Sequence, residues 1–104
     1  MINIEKRYLT VIKRILKDFA PECEVRVFGS RITKIIKKYS DLDLAIVAKK
    51  KLARGTMVRL KEAFEESTLP FRVEVLDWHV TSESFKKVIE RRYEIIQKVK
   101  NNAS

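Results

Sequence analysis

Three acidic residues and one glycine-serine turn stand out in this sequence as groups able to do chemistry together. Asp41 and Asp43 are separated by one residue in the stretch DLDLAIV. Alternate side chains of a strand share a face, so both carboxylates point the same way, about 7 Å apart along the backbone. Like charges held that closely repel unless a cation or a basic partner sits between them. Their hard oxygens favour Mg²⁺ or Mn²⁺, and Mg²⁺ takes one or two carboxylates and completes its octahedron with water and substrate phosphates. Glu74, in FRVEVLDW, supplies a third carboxylate to the same face. There it is placed to bind a second metal or to take the proton from an attacking hydroxyl.

The second half of the constellation is Gly29-Ser30-Arg31. Gly29 ends a predicted strand and Ser30 opens a predicted helix, so backbone N–H groups and the positive end of a helix dipole face outward. That is an anion site, with the Ser30 hydroxyl as a further donor. Each half also has a plainer reading. Asp-x-Asp can be a pair of solvated acids on an edge strand, and Gly-Ser can be a simple turn with Ser as helix cap. Neither explains the pairing. From Ser30 to Asp41 is eleven residues, which lets a cation on the carboxylates bridge to phosphates in the turn.

These groups need a scaffold, and the hydrophobic pattern supplies one. Residues 5–19 place Tyr8, Ile12, Ile15 and Phe19, with Leu9 and Leu16, on one helical stripe that Pro21 ends. EVRVF (24–28) alternates as a strand, and the helix opened by Ser30 runs through Ile32, Ile35 and Ile36. DLDLAIV (41–47) is a second strand, followed by a basic turn. Residues 52–66 form a helix with Met57, Leu60, Ala63 and Phe64 inward. FRVEVLDW (71–78) is a third strand. Thr81 or Ser82 caps a last helix whose Phe85, Val88, Ile89, Ile96 and Val99 face the core, and residues 101–104 fray. The expectation is a single α/β (α+β) domain over residues 1–104, its small sheet packed with helices.

Strand alternation then sorts the two faces. Val25, Val27, Leu42, Leu44, Ile46, Val73 and Val75 form one apolar set. The complementary set holds Arg26, Phe28, Asp41, Asp43, Ala45, Arg72, Glu74 and Leu76. The pattern predicts helices on the apolar face and an open polar face carrying the site. Asp77, three residues beyond Glu74, points to the opposite face and ranks below it as a third carboxylate.

Composition sets the company such a site keeps. The chain has 104 residues, 45% apolar and 36% charged, with a formal charge of +9. That excess favours nucleotide, nucleic acid or an acidic protein surface, although a lysine-rich solvated exterior is the plainer account. No apolar run suits a membrane span, MINIEKRY does not resemble a signal peptide, and the lone Cys23 excludes an intramolecular disulfide. A cytoplasmic location is expected.

Gly29-Ser30-Arg31, Ser40-Asp41-Leu42-Asp43-Leu44 and Arg72-Val73-Glu74-Val75-Leu76-Asp77-Trp78 together resemble the minimal nucleotidyltransferases (MNT) of the DNA polymerase β superfamily. The resemblance covers nearly the whole chain, including the Leu-Pro before the third strand and the Thr-Ser-Glu-Ser-Phe that opens the last helix. It implies the nucleotidyltransferase fold, a mixed sheet, and a small all-helical HEPN partner encoded alongside, hence a hetero-oligomer. In toxin–antitoxin versions the HEPN protein is an RNase toxin, and the MNT protein neutralises it by moving AMP from ATP onto a tyrosine. Carried over, Gly29 and Ser30 hold the triphosphate, Arg31 assists the phosphates or sits in a surface ion pair, Asp41 and Asp43 bind metal, and Glu74 stands where the family usually has a third Asp. Lys34 stands where relatives often have Gly. These two departures keep a second class open: an idle antitoxin that masks its partner by binding. Direct nucleic-acid binding is possible through the basic surface and is not favoured.

The remaining reactive residue types carry plainer expectations. His79 is expected to be a structural or surface residue at the end of a strand, Cys23 a small core or half-exposed residue, and Trp78 a core aromatic. Tyr8 and Tyr39 are expected at the core or its rim, and Lys49-Lys50-Lys51 in a solvated turn.

Overall fold

The structure is a computed structural model that describes residues 2–32 and 41–99. Lys34, Ile35, Ile36, Tyr39, Ser40 and the stretch 101–104 lie outside the described residues, as do the side chains of Ser30 and Ile32. Helix α1 (Lys6–Phe19) leads to strand β1 (Glu24–Phe28) and a 3-10 turn over Gly29–Ile32. Strand β2 (Leu42–Val47), helix α2 (Arg54–Glu65) and strand β3 (Val73–Asp77) follow. A second 3-10 turn (Trp78–Val80), helix α3 (Glu83–Arg91) and strand β4 (Glu94–Gln97) complete the order.

The sheet runs β3-β2-β1-β4. β1 pairs antiparallel with both β2 and β4, whereas β2 and β3 are parallel and joined through α2. It is therefore mixed, as expected. Its apolar face is the one that alternation selected: Val25, Val27, Leu42, Leu44 and Ile46 are fully buried against Ile12, Leu16, Leu60 and Phe64 of the helices. Each such aliphatic contributes roughly 1.5–3 kcal/mol by leaving water. That packing holds the strand bearing Asp43 in register.

The C-terminal third differs from the sequence expectation. Ser82 does cap α3, accepting from the Phe85 N–H at 3.2 Å. The helix ends at Arg91, however, and Ile96 reaches the core from a fourth strand. Ile89 and Ile96 stand two helical turns apart in sequence, so one continuous helix and a helix plus a strand bury the same pair. What decides is β1, whose outer edge needs a partner. Gln97 then fixes the new strand, its side-chain amide donating to the carbonyls of Ala20 and Cys23, both at 2.8 Å. Phe85, Val88 and Val99, expected inward, are exposed.

α3 also alters the second face. The Phe85 ring meets Phe28 edge-on at 5.9 Å, and Ala45 and Ile89 are buried outside the main core. Arg26 is stacked between Trp78 and Tyr93, 4.7 and 4.5 Å from the ring centres, and paired with Glu24. The face expected to be open throughout is thus covered at its Arg26 end. It stays open where Asp41 and Glu74 are exposed.

Candidate active site

The site is built by strand register. Phe28 of β1 lies across from Asp43 of β2, and Asp43 across from Glu74 of β3. One row across three strands therefore carries Phe28, Asp43 and Glu74 on the face away from the core. Gly29 follows Phe28 with a φ of 80°, a left-handed conformation that glycine adopts freely. The turn brings its backbone against the Asp43 carboxylate, so closely that a Cβ there would overlap Oδ2. The glycine-serine turn and the aspartate pair, separate in sequence, meet here.

Asp43 is half-buried, and its carboxyl is pushed above the usual carboxylate range. Burial is the largest cause, and the negative charges of Asp41 and Glu74 add to it. Glu74 is exposed and forms an ion pair with Arg72 at 2.7 Å. Among the described residues no three potential ligands converge on one point. A three-carboxylate cage is therefore not preassembled. The pair Asp41 and Asp43 still suits a hard cation of the Mg²⁺ type, which takes one or two carboxylates and leaves the rest of its shell to water and phosphate.

The turn after Gly29 is a 3-10 turn over its described residues. Arg31, expected to assist the phosphates or to sit in a surface ion pair, is 5% exposed. Its Nη1 donates to the Asn3 carbonyl at 3.0 Å, and its guanidinium lies 4.4 Å from the centre of the Phe71 ring. The Asn3 N–H donates in return to the Arg31 carbonyl at 2.8 Å. Arg31 thus anchors the turn to the N-terminal segment. Sequence gave no sign of this, because burial of an arginine depends on the aromatic ring that the fold delivers.

The family model described as polymerase beta, nucleotidyltransferase, matches residues 10–101. A protein of Haemophilus influenzae named probable protein adenylyltransferase MntA is 47% identical over 96 residues, 92% of this chain and 84% of that relative. The chain belongs to the polymerase β nucleotidyltransferase family. Solved structures share its architecture. A toxin–antitoxin crystallised with AMP-PNP superposes with a TM-score of 0.72 at 21% identity, over 88% of this chain and 73% of that one. An MNT antitoxin in complex with tri-AMPylated Shewanella oneidensis HEPN toxin gives 0.69 at 19% identity, over 92% and 74%. At such identities the likeness establishes the nucleotidyltransferase fold.

Within this family fold, Asp77 is structural. Buried at 6% exposure, it accepts from the N–H groups of Leu52 and His79, each at 2.9 Å. His79 places Nε2 2.6 Å from the Ala48 carbonyl, closing the same latch around the Lys49–Lys51 turn. Cys23 is buried. Phe28, which alternation assigns to the site face, is a site residue that no chemical motif in the sequence marks: its register with Asp43 makes it the apolar flank of the carboxylates.

Proposed function

We propose that this chain is a metal-dependent adenylyltransferase that moves AMP from ATP onto a hydroxyl of a HEPN-type partner, as the antitoxin half of a toxin–antitoxin module. The observation that carries the reading is Asp43, wedged between Gly29 and Glu74 with its carboxyl pushed up by burial and by neighbouring acids. Such a group favours a cation beside it. The 47% identity to a protein named as an adenylyltransferase supports AMP as the unit moved, and the AMPylated HEPN complex supports the acceptor class. The domain spans residues 1–104, works in the cytoplasm where ATP is abundant, and is one member of a hetero-oligomer. Among the described residues no helix is long and apolar enough to cross a membrane.

Asp41 and Asp43 would hold a Mg²⁺ or Mn²⁺ ion, whose chemistry is to neutralise phosphate charge and make the attacking hydroxyl more acidic. Gly29 and Ser30 present backbone N–H groups to the triphosphate. The acceptor oxygen attacks the α-phosphorus in line, forming a new P–O ester. The bond to the β-phosphate oxygen breaks, and pyrophosphate leaves with its electron pair. Glu74 takes the hydroxyl proton.

The test is mass spectrometry of the HEPN partner after incubation with this protein, ATP and Mg²⁺. The partner should gain AMP residues, and Asp41→Asn or Asp43→Asn should abolish the gain. If the double Asn variant neutralises the partner as well as the parent does, with no added mass for either protein, the masking antitoxin is the correct reading.

A further inference from the structure

β3 is the outermost strand on its side of the sheet, and among the described residues nothing pairs with its outer edge. The Leu42 N–H donates to the Arg72 carbonyl at 2.8 Å. In a parallel ladder, alternate residues of one strand bond to the same neighbour. Arg72, Glu74 and Leu76 therefore turn their backbone groups toward β2, whereas Val73 and Val75 turn theirs outward. The Thr81 hydroxyl donates to the Asp77 carbonyl at 2.8 Å and closes the edge beyond Val75.

Beside this open stretch, α2 leaves two adjoining grooves of about 710 and 370 Å³ that share Lys61 and Val75. The larger has Met57, Val75 and Val80 among its apolar lining and Lys51, Arg54 and Lys61 as its basic groups against the one buried acid Asp77. The smaller sets Lys61 and Arg72 against Glu65 and Glu74, so the basic surplus lies in the larger groove. We propose that the β3 edge takes, as a fifth strand, an extended acidic tail of the otherwise helical acceptor protein, which delivers the acceptor hydroxyl to the site. The inference rests on the transfer reading above.

Register and charge make the fit specific. An added strand lies about 4.8 Å from β3. Its residue beside Glu74 becomes the fourth member of the row Phe28, Asp43, Glu74, and its side chain projects over the carboxylates. The residues on either side alternate to the opposite face and enter the grooves, where apolar side chains meet Met57 and Val75. Acidic residues flanking them meet Lys51, Arg54 and Lys61. Backbone pairing supplies the affinity and the alternating pockets the selectivity, as in other strand-addition complexes. Basic residues also serve simply to keep a free edge from aggregating, but that role requires neither grooves nor alignment with Glu74.

Val73→Pro tests this, because it removes an outward N–H from the first residue of an edge strand, a position proline tolerates, and Val73→Ala controls for the core packing lost with the side chain. With the HEPN partner as acceptor, Val73→Pro and Lys61→Glu should each lower AMP transfer at least about tenfold through KM, with Mg²⁺-ATP binding unchanged. Amide exchange at Val73 and Val75 should slow when the partner binds. Unchanged exchange at both amides together with parental transfer by both variants overturns the docking mode. AMP on the partner without protection at these amides sinks the docking alone. Protection without AMP on the partner sinks the transfer reading and leaves the docked strand.

Discussion

Gly29 and Asp43 are packed so tightly that a side chain on the first would collide with the carboxylate of the second, landing on Oδ2 and 3.2 Å from Cγ. Gly29→Ala meets two obstacles: a φ of 80° that an L residue adopts at a cost of about 1–2 kcal/mol, and an aspartate that must move. The thermal midpoint should fall by several degrees. AMP transfer by the protein that remains folded should fall further, by about 100-fold, since a shift near 1 Å is enough to misplace a reacting group. Equal losses in stability and in transfer would show that Gly29 matters only to folding.

Asp43→Asn should separate stability from activity in the opposite sense. The Asp43 carboxyl is pushed up in the folded protein, so the fold holds that proton more tightly than the unfolded chain does. Its contribution favours folding below the ordinary carboxylate range, declines as pH rises through that range, and becomes a penalty at neutral pH. The Asn variant should therefore melt higher than the parent at pH 7, with the gap closing in acid. Mg²⁺ should raise the midpoint of the parent and not of the variant. Transfer should drop by more than about 100-fold, beyond the roughly 10–100-fold lost when a residue that only supports a metal ligand is replaced. Calorimetry at pH 4 and pH 7, with and without Mg²⁺, checks all of this.

The same residues show what the sequence made legible. Period-two alternation in β2 and β3 is local, so it correctly placed Asp43 and Glu74 on one face and Asp77 on the other. It could not show that Phe28 closes the row, because that depends on the pairing of β1 with β2, a long-range property that alternation within one strand does not carry. β4 was hidden for a related reason: helix and strand both bury Ile96, and only the unpaired edge of β1 and the Gln97 amide choose between them. Arg31 illustrates the limit for charge. Its burial under Phe71 is a property of packing, and nothing near it in the chain signals it.

Asp77 and Glu74, acids on one strand, should respond oppositely to substitution. Asp77→Ala takes the carboxylate acceptor from the part-buried N–H groups of Leu52 and His79, at up to about 1–3 kcal/mol for each group left unpaired. It should lower the melting midpoint strongly, while transfer by the folded fraction stays within a few-fold of the parent. Glu74→Gln removes an exposed charge whose ion pair with Arg72 is worth little. It should leave the midpoint nearly unchanged and lower transfer. A variant pair that behaves the other way round would move the third carboxylate from Glu74 to Asp77.

Cys23 supplies a pH test independent of the site. Its thiol is pushed up first by burial and then by the negative charges of Glu22 and Asp77. The thiolate is the reactive form, so iodoacetamide should modify the folded protein slowly at neutral pH and well into the alkaline range, and quickly once the chain is unfolded in denaturant. The linkage has the same origin. Because the folded protein keeps this proton more tightly, the Cys23 contribution to stability is complete below the ordinary thiol range and is lost as pH rises through it. Cys23→Ala removes that alkaline slope and leaves a small void beside Gln97, whose amide holds the Cys23 carbonyl. The variant should be the less stable protein at pH 7, and its deficit should shrink in alkali. A deficit that is constant with pH would mean the thiol ionises alike in both states, and that burial at Cys23 is too shallow to hold its proton.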